Sequence, residues 1–152
     1  MAASISGLLT WIRQHPAYAE LLDACRSELA LPPYPVLARS RAAIMAALAD
    51  DLALPLLIVV PTVDESRRTL EALRLWLPDA QRLRHFPEPP GLFYERAPWS
   101  PETIADRLDV LSALYMVRAE GAPVRPPIIV ASARALMQRT LPYRQFRKAA
   151  QK

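Results

Sequence analysis

The feature that most constrains the fold is a short, unbroken run of apolar residues at Leu56–Val60, which a proline ends. Runs of this length, rich in β-branched residues, are typical of strands that are buried on both faces, as in parallel sheets. Ile128–Val130 has the same character, and Arg82–Phe86, in which Leu83 and His85 alternate, is a weaker third candidate. Because helical patterns separate these runs, the sequence predicts an α/β fold with a parallel sheet.

Residues that start helices well follow the predicted strands. Thr62 precedes Glu65 by three positions, the spacing of a capping box, and Ser132 can cap a helix after the last strand. Ser100-Pro101-Glu102 places a cap residue, a proline at the first helical position and an acid near the positive end of the helix dipole. The apolar residues expected to face the core are Leu70, Leu73 and Leu77 in the first of these helices, and Ile104, Leu108, Leu111 and Tyr115 in the second.

The chain before the first strand is predicted to be helical. Ser40–Leu52 indicates one helix, whose apolar side carries Ile44, Met45, Leu48 and Leu52. An N-terminal helical pair precedes it and is closed by the proline-rich stretch at 32–35, with Cys25 expected as a core thiol on its apolar stripe. The predicted domains are a helical segment at 1–34, an α/β domain at 35–146 and a truncated connection to a following domain at 147–152.

The charge of the chain is distributed unevenly. The 152 residues include 52% hydrophobic and 22% charged residues, which excludes a disordered chain, and the formal net charge is +4. Residues 1–133 hold 13 basic and 15 acidic residues, whereas the remainder holds six basic residues and no acid. The basic character therefore belongs to the tail, and a basic nucleic-acid-binding face on the body is not indicated.

The sequence indicates a cytoplasmic protein that does not enter the membrane. No basic residue precedes the first apolar stretch, so a signal peptide is not expected. No apolar run approaches the roughly 20 residues that a membrane-spanning helix needs. Cys25 is the single cysteine, which can form neither an internal disulfide nor a zinc site by itself.

The segment Tyr34–Ala43 leads into the helix predicted at Ser40–Leu52. A nucleotide-binding α/β protein carries its phosphate loop at such a helix start, between the first strand and its helix. Such a loop needs glycines for close backbone approach, and a lysine for the β- and γ-phosphates. The segment has no glycine and no lysine, and its central residues are Val36, Leu37, Ala38, Arg39, Ser40 and Arg41. We therefore expect a degenerate loop that binds no nucleotide and holds no other cofactor.

No other pattern indicates catalysis or metal binding. His15 and His85, the only histidines, have no metal-ligand spacing and no nucleophile pattern beside them. Asp50-Asp51 and the pair Asp106 and Asp109 are expected to be solvated carboxylates. The sequence thus predicts no catalytic residue and no metal site.

Aromatic residues concentrate in a proline-rich stretch that precedes Ser100. Two interpretations are open: a loop that packs its own aromatics over the sheet, or a surface that docks on another domain or partner. The candidate interaction surface consists of Phe93, Tyr94, Glu95, Arg96, Trp99 and Arg107.

These residues also carry a family resemblance. The pattern joins Phe86-Pro87, Phe93-Tyr94-Glu95-Arg96, Ser100-Pro101-Glu102 and Arg107-Leu108, with Leu111 beyond them. Together with the flanking runs Pro55–Thr62, Ile129-Val130 and Arg134–Arg139, it resembles the N-terminal module of bacterial transcription-repair coupling factors. The resemblance covers roughly Pro35–Phe146, and the first 34 residues match only loosely.

The resemblance implies a fold and a function. That module is similar to the first domain of the repair protein excinuclease B, a P-loop-NTPase-like three-layer sandwich, but it has lost the ATP-binding loop. The implied role is a non-catalytic scaffold in an ATP-dependent DNA translocase that displaces stalled RNA polymerase and recruits nucleotide excision repair. Its implied partners are other domains of the same parent chain, and the repair protein excinuclease A mainly through the following domain. RNA polymerase and DNA are contacted by other parts of the parent.

Two other functions stay open. The chain could be a divergent excinuclease-B-like ATPase or helicase domain that needs a second lobe to bind nucleotide. It could also be a nucleic-acid-binding module that works through its arginine-rich tail, whose affinity would fall steeply with salt. One departure from the family bears on the choice: Ala38-Arg39 stands where the family usually keeps a small residue or glycine, which disfavours even a vestigial anion pocket.

Overall fold

The computed structural model describes residues 5–27, 30–89, 99–118 and 125–150. Within them the chain forms a parallel sheet with helices packed against it. In chain order the elements are α1 (Leu9–Arg13), α2 (Pro16–Arg26), α3 (Arg41–Asp51), β1 (Leu56–Val60), α4 (Val63–Trp76), β2 (Leu83–Phe86), α5 (Pro101–Arg118), β3 (Ile128–Ser132), α6 (Ala133–Met137) and α7 (Tyr143–Ala150). Single 3-10 turns lie at Ser6–Leu8, Ala38–Ser40 and Ala80–Arg82.

The described strands form a three-stranded sheet in the order β1-β3-β2, with every pair parallel. Val130 of the central strand lies opposite Ile58 on one side and His85 on the other. All five residues of β3 are buried, as predicted for this run. The α/β class and the parallel sheet are therefore confirmed.

Helices cover both faces of the sheet, which makes three layers. Ile128 and Val130 pack with Leu70 and Leu73 of α4 and with the alanines of α3. Because side chains alternate along a strand, Ile129 and Ala131 point to the opposite face, where Val110 of α5 and Ala135 of α6 cover them. The central strand thus joins two separate cores.

The first strand differs from the prediction, which buried it on both faces. Leu57 and Val59 are 51% and 50% exposed, although Ile58 on the opposite face is buried. The reason is that β1 is an edge strand, and α5 packs against β2 instead of reaching over β1. The apolar run therefore predicted the strand correctly, but the prediction that both of its faces are buried is wrong.

The buried face of α3 also differs from the prediction. Its buried residues are Ala42, Ala43, Ala46, Ala47 and Ala49, whereas Ile44, Met45 and Leu48 are only partly buried. Small side chains let α3 pack closely between α1 and α4, and the larger residues fill the margins of the contact.

In α5, two of the four residues predicted to face the core are exposed, and the other two, Leu111 and Tyr115, are only partly buried. Ile104 and Leu108 are 43% and 37% exposed, while Arg107 and Val110 are each 3% exposed. The helix therefore meets the sheet along a stripe offset from the predicted one, and one of its two most buried side chains, Arg107, is charged and was not counted as apolar.

The predicted helix starts are confirmed by their capping hydrogen bonds. The Oγ1 of Thr62 accepts a hydrogen bond from the amide of Glu65 at 3.2 Å, and the Oγ of Ser100 accepts one from the amide of Thr103 at 3.2 Å. Ser132 accepts a hydrogen bond from the amide of Ala135 at 3.1 Å. Each side chain satisfies an amide that the first turn of a helix leaves unpaired.

The N-terminal helices pack on the outer side of α3. Leu9 of α1 and Tyr18 of α2 are buried in the same cluster as the alanines of α3, whereas Cys25 is only partly buried. The predicted domain boundary at 34/35 falls in a stretch without helix or strand, and that at 146/147 falls inside α7. None of the helices in the described ranges combines the length and the apolar character that crossing a bilayer would need.

Ala53, in the turn after α3, has a φ of 50°, the left-handed region that favours glycine. We expect Ala53→Gly to raise the free energy of unfolding by about 0.5–1 kcal/mol, because glycine relieves the steric cost of this conformation. Ala19→Gly, on the exposed side of α2, is the matched control and should lower it by about 1 kcal/mol. Urea unfolding at neutral pH measures both, and a loss of stability in Ala53→Gly would contradict the assignment.

Candidate functional site

A groove of about 650 Å³ lies between the N-terminal helices, residues 34–40 and α3. Four aromatic side chains line it: Trp11, Tyr18, Tyr34 and Trp76. Its size falls within the range of roughly 300–1,000 Å³ that is usual for ligand sites in proteins, and its lining is mainly apolar, as in most such sites. We take this groove as the candidate functional site.

One wall of the groove is the start of α2. His15 is the cap residue of that helix, and its Nδ1 accepts a hydrogen bond from the amide of Ala17 at 3.3 Å. Pro16 occupies the first helical position, where its missing N–H costs nothing. The opposite wall is the stretch at 34–37, which has neither helix nor strand and leads into the turn at Ala38–Ser40.

This opposite wall is the segment that was predicted to be a degenerate phosphate loop between a strand and a helix. In the described part of the chain the first strand is β1, which follows α3, so no strand leads into this segment. Val36 and Leu37 line the groove together with Arg39 and Ser40. Three prolines in 32–35 lack the amides that a strand would pair, so this segment does not join a strand to a helix as a phosphate loop does.

The local geometry does not form a phosphate cradle. Ser40 has helical backbone angles (φ −90°, ψ −11°), and its side chain accepts no capping hydrogen bond. Leu37 is 80% exposed at the rim, and Arg39 and Arg41 are exposed beside it. The wall therefore presents bulky side chains where a phosphate loop would present bare amides.

The acid pair Asp50-Asp51 at the end of α3 holds the groove wall in place. The carboxylate of Asp51 accepts a hydrogen bond from Arg13 Nε at 3.0 Å and one from the Tyr18 hydroxyl at 2.6 Å. Asp50 pairs with Arg82 Nη1 at 2.7 Å. The expectation that these two acids are solvated is wrong, since they link α1, α2 and the sheet to α3.

These contacts shift the pKa values of Tyr18 and Asp51. Burial and the hydrogen bond to Asp51 raise the pKa of Tyr18 above its ordinary value, so the hydroxyl keeps its proton. Burial alone would raise the pKa of Asp51, but the hydrogen bonds from Arg13 and Tyr18 outweigh it and hold that pKa below its ordinary value. The pair therefore consists of a neutral phenol and an ionised carboxylate.

Arg107, predicted as part of an interaction surface, is 3% exposed. Its Nη1 donates hydrogen bonds to the carbonyl oxygens of Pro87 at 2.9 Å and Ala135 at 3.2 Å. Its guanidinium carbon lies 3.9 Å from the centre of the Phe86 ring and 4.9 Å from that of Trp99. Burial lowers the pKa of Arg107, and the side chain joins β2, α5 and α6 inside the protein instead of reaching a partner.

The other members of that predicted surface are placed differently. Trp99 is partly buried and contacts Arg107, which agrees with a loop that packs an aromatic side chain inward. Phe93, Tyr94, Glu95 and Arg96 lie outside the described residues.

The carboxyl ends of β2 and β3, where open α/β sheets usually bind ligands, are occupied by an internal cluster. Glu88 accepts a hydrogen bond from the Ser132 hydroxyl at 2.9 Å and pairs with Arg134 at 2.9 Å. Nearby, Ser66 Oγ lies 3.2 Å from His85 Nε2 and also donates to the carbonyl of Val63. Burial lowers the pKa of His85, which is partly buried in β2.

The groove was not predicted from the sequence. Trp11, Tyr34 and Trp76 were not singled out, because they come from three segments whose approach no local pattern reveals. The segment Tyr34–Ala43 was recognised as unusual through its missing glycines, which was the one available signal. Among the described residues, no group of three His, Cys, Asp or Glu side chains could hold a metal ion.

Comparison of the sequence with models of known protein families finds no match, and comparison with curated proteins finds no similar one. The interpretation of the groove therefore depends on its own geometry.

Replacing Asp51 with asparagine should lower the free energy of unfolding at pH 7 by about 1.5–3 kcal/mol, because hydrogen bonds to a charged acceptor are lost. The pKa of Asp51 is lower in the folded protein than in the unfolded chain. The ionised carboxylate therefore contributes fully to the free energy of unfolding above the ordinary carboxyl pKa, and this contribution is lost as the pH falls through the lower pKa of the folded protein. The difference between the two proteins should therefore shrink as pH drops below about 4.

Urea unfolding from pH 7 to pH 2 measures the difference in free energy of unfolding between the native chain and Asp51→Asn. Asp23→Asn is the matched control, since Asp23 is 78% exposed and 3.8 Å from its arginine, and should change stability by less than about 0.5 kcal/mol. A deficit in Asp51→Asn that stays constant across this pH range would contradict the pairing.

Proposed function

We propose that this chain is a non-catalytic scaffold domain of the transcription-repair coupling factor kind, with a P-loop-NTPase-like arrangement that has lost its nucleotide site. The observation that carries the proposal is the wall at 34–40, where Val36, Leu37 and Arg39 line an apolar groove. A triphosphate needs close backbone amides and compensating positive charge, and this wall offers side chains instead.

The contacts of Arg107 support the proposal in a second way. The residues on which the family resemblance depends include Phe86, Pro87 and Ala135, and all three contact the Arg107 guanidinium. A buried arginine that bonds two carbonyls and stacks on aromatic rings fixes the relative position of three elements. The residues of the family resemblance that contact Arg107 thus have a structural explanation. This explanation fits a supporting domain and requires no active site.

The exposed apolar surface also fits a supporting role. Leu57 and Val59 of the edge strand β1 are each about half exposed, and Met137 of α6 is 72% exposed. Apolar surface of this kind is commonly covered by another domain or protein. The proposed partners are other domains of a parent chain and, through a following domain, excinuclease A, within a translocase that contacts RNA polymerase and DNA elsewhere.

The positive charge of residues 134–152 supports a nucleic-acid-binding module less well than the preceding observations support a scaffold. Arg134, one of the six basic residues after position 133, is only partly exposed and pairs with Glu88 at 2.9 Å. Its charge is therefore partly neutralised at the sheet and is not free for a phosphate backbone.

Calorimetric titration of the chain with ATP and magnesium should show no saturable binding, with any dissociation constant weaker than about 1 mM, which corresponds to about 4 kcal/mol of binding free energy. The physical reason is the missing phosphate cradle at 34–40. The same titration with inorganic pyrophosphate tests the phosphate contacts without the base.

Two variants make the result interpretable. Micromolar ATP binding that Arg39→Ala abolishes would overturn the proposal, because it would place a nucleotide at this wall. Weak binding that Arg39→Ala leaves unchanged and that Arg144→Ala with Lys148→Ala removes would reflect the exposed charges of α7, and the proposal would stand.

A further inference from the structure

Large apolar side chains concentrate at the rim of the groove. Trp11 is 75% exposed, Leu37 is 80% exposed and Tyr34 is 41% exposed, and all three line the same groove. Isolated exposed apolar residues are ordinary, but several around one concavity mark a surface that another molecule covers. Tryptophan and tyrosine are also the residues most often found at the energetic centre of protein interfaces.

The exposure of the rim favours a polypeptide over a small molecule as the occupant. A pocket for a small ligand encloses most of that ligand, typically about 70–90% of its surface. Here a molecule that only filled the floor, formed by Ala43 and Ile44, would leave Trp11 and Leu37 in water. A peptide covers the rim with its backbone and fills the floor with side chains, so that both parts of the groove are buried.

The charge of the groove selects the kind of peptide. Arg39 is the one Arg or Lys among the described residues that line the groove, and Arg41 is exposed two positions later. His15 is held at the start of α2 by its hydrogen bond to the Ala17 amide. None of the described Asp and Glu residues lines the groove, so the groove presents the positive charge of Arg39, which is complementary to a carboxylate on the occupant.

We propose that the groove binds an acidic peptide segment of a protein partner. An aromatic or aliphatic side chain of the peptide enters between Trp11 and Leu37, and a neighbouring Asp or Glu pairs with Arg39. This inference goes beyond the scaffold function and does not depend on it, because nucleotide titration tests one and peptide selection tests the other.

The experiment selects peptides from a phage-displayed library of random dodecapeptides, using the full chain as the target. The enriched peptides should have a net negative charge and at least one aromatic or large aliphatic residue. The strongest is then labelled with fluorescein, and its dissociation constant is measured by anisotropy. The same peptide with its acids replaced by lysine should bind at least tenfold more weakly.

Matched variants locate the binding. Leu37→Asp and Arg39→Glu should each raise the dissociation constant of the labelled peptide at least tenfold. The control variants Leu54→Asp and Arg68→Glu should change that dissociation constant less than twofold. All four residues are exposed, and thermal unfolding of each variant confirms that it folds. Peptides without acidic bias, peptides that bind Leu37→Asp as tightly as the native chain, or no enriched peptide at all would each overturn the proposal.

Discussion

Two adjacent carboxylates at the end of α3 hold the N-terminal half of the molecule together. Asp51 accepts hydrogen bonds from Arg13 and Tyr18, and Asp50 pairs with Arg82 beside the sheet. Arg13 also lies 3.5 Å from Asp50, so the two acids share this arginine, and the hydrogen bonds to Asp51 are stronger than neutral ones because their acceptor is charged. Because α1 and α2 form one wall of the groove, the candidate site depends on Asp51.

Residues 34–40, which precede α3, differ in role from the phosphate loop that precedes the corresponding helix in a nucleotide-binding protein. There, a strand delivers glycine amides to the phosphates at the helix start. Here, a proline-rich stretch delivers Val36, Leu37 and Arg39 to a groove shared with the N-terminal helices. The proposed loss of catalysis and the proposed peptide binding are thus two consequences of the same side chains.

Local features of the fold could be predicted from the sequence, and features that depend on distant segments could not. β3 and the caps Thr62, Ser100 and Ser132 follow from patterns within a few residues. The bare face of β1 was missed because an apolar run does not say whether a helix covers it. The salt bridge of Asp51 joins residues 38 positions apart, and no pattern in the sequence indicates such a partner.

Hydrogen–deuterium exchange of Asp51→Ala, compared with the native chain, tests most directly whether this carboxylate anchors the N-terminal helices. The amides of α1 and α2 should exchange at least tenfold faster in the variant, while the amides of β3 should stay as protected as before, because Asp50 still pairs with Arg82. Unchanged exchange in α1 and α2, or an equal loss of protection in β3, would contradict this anchoring role.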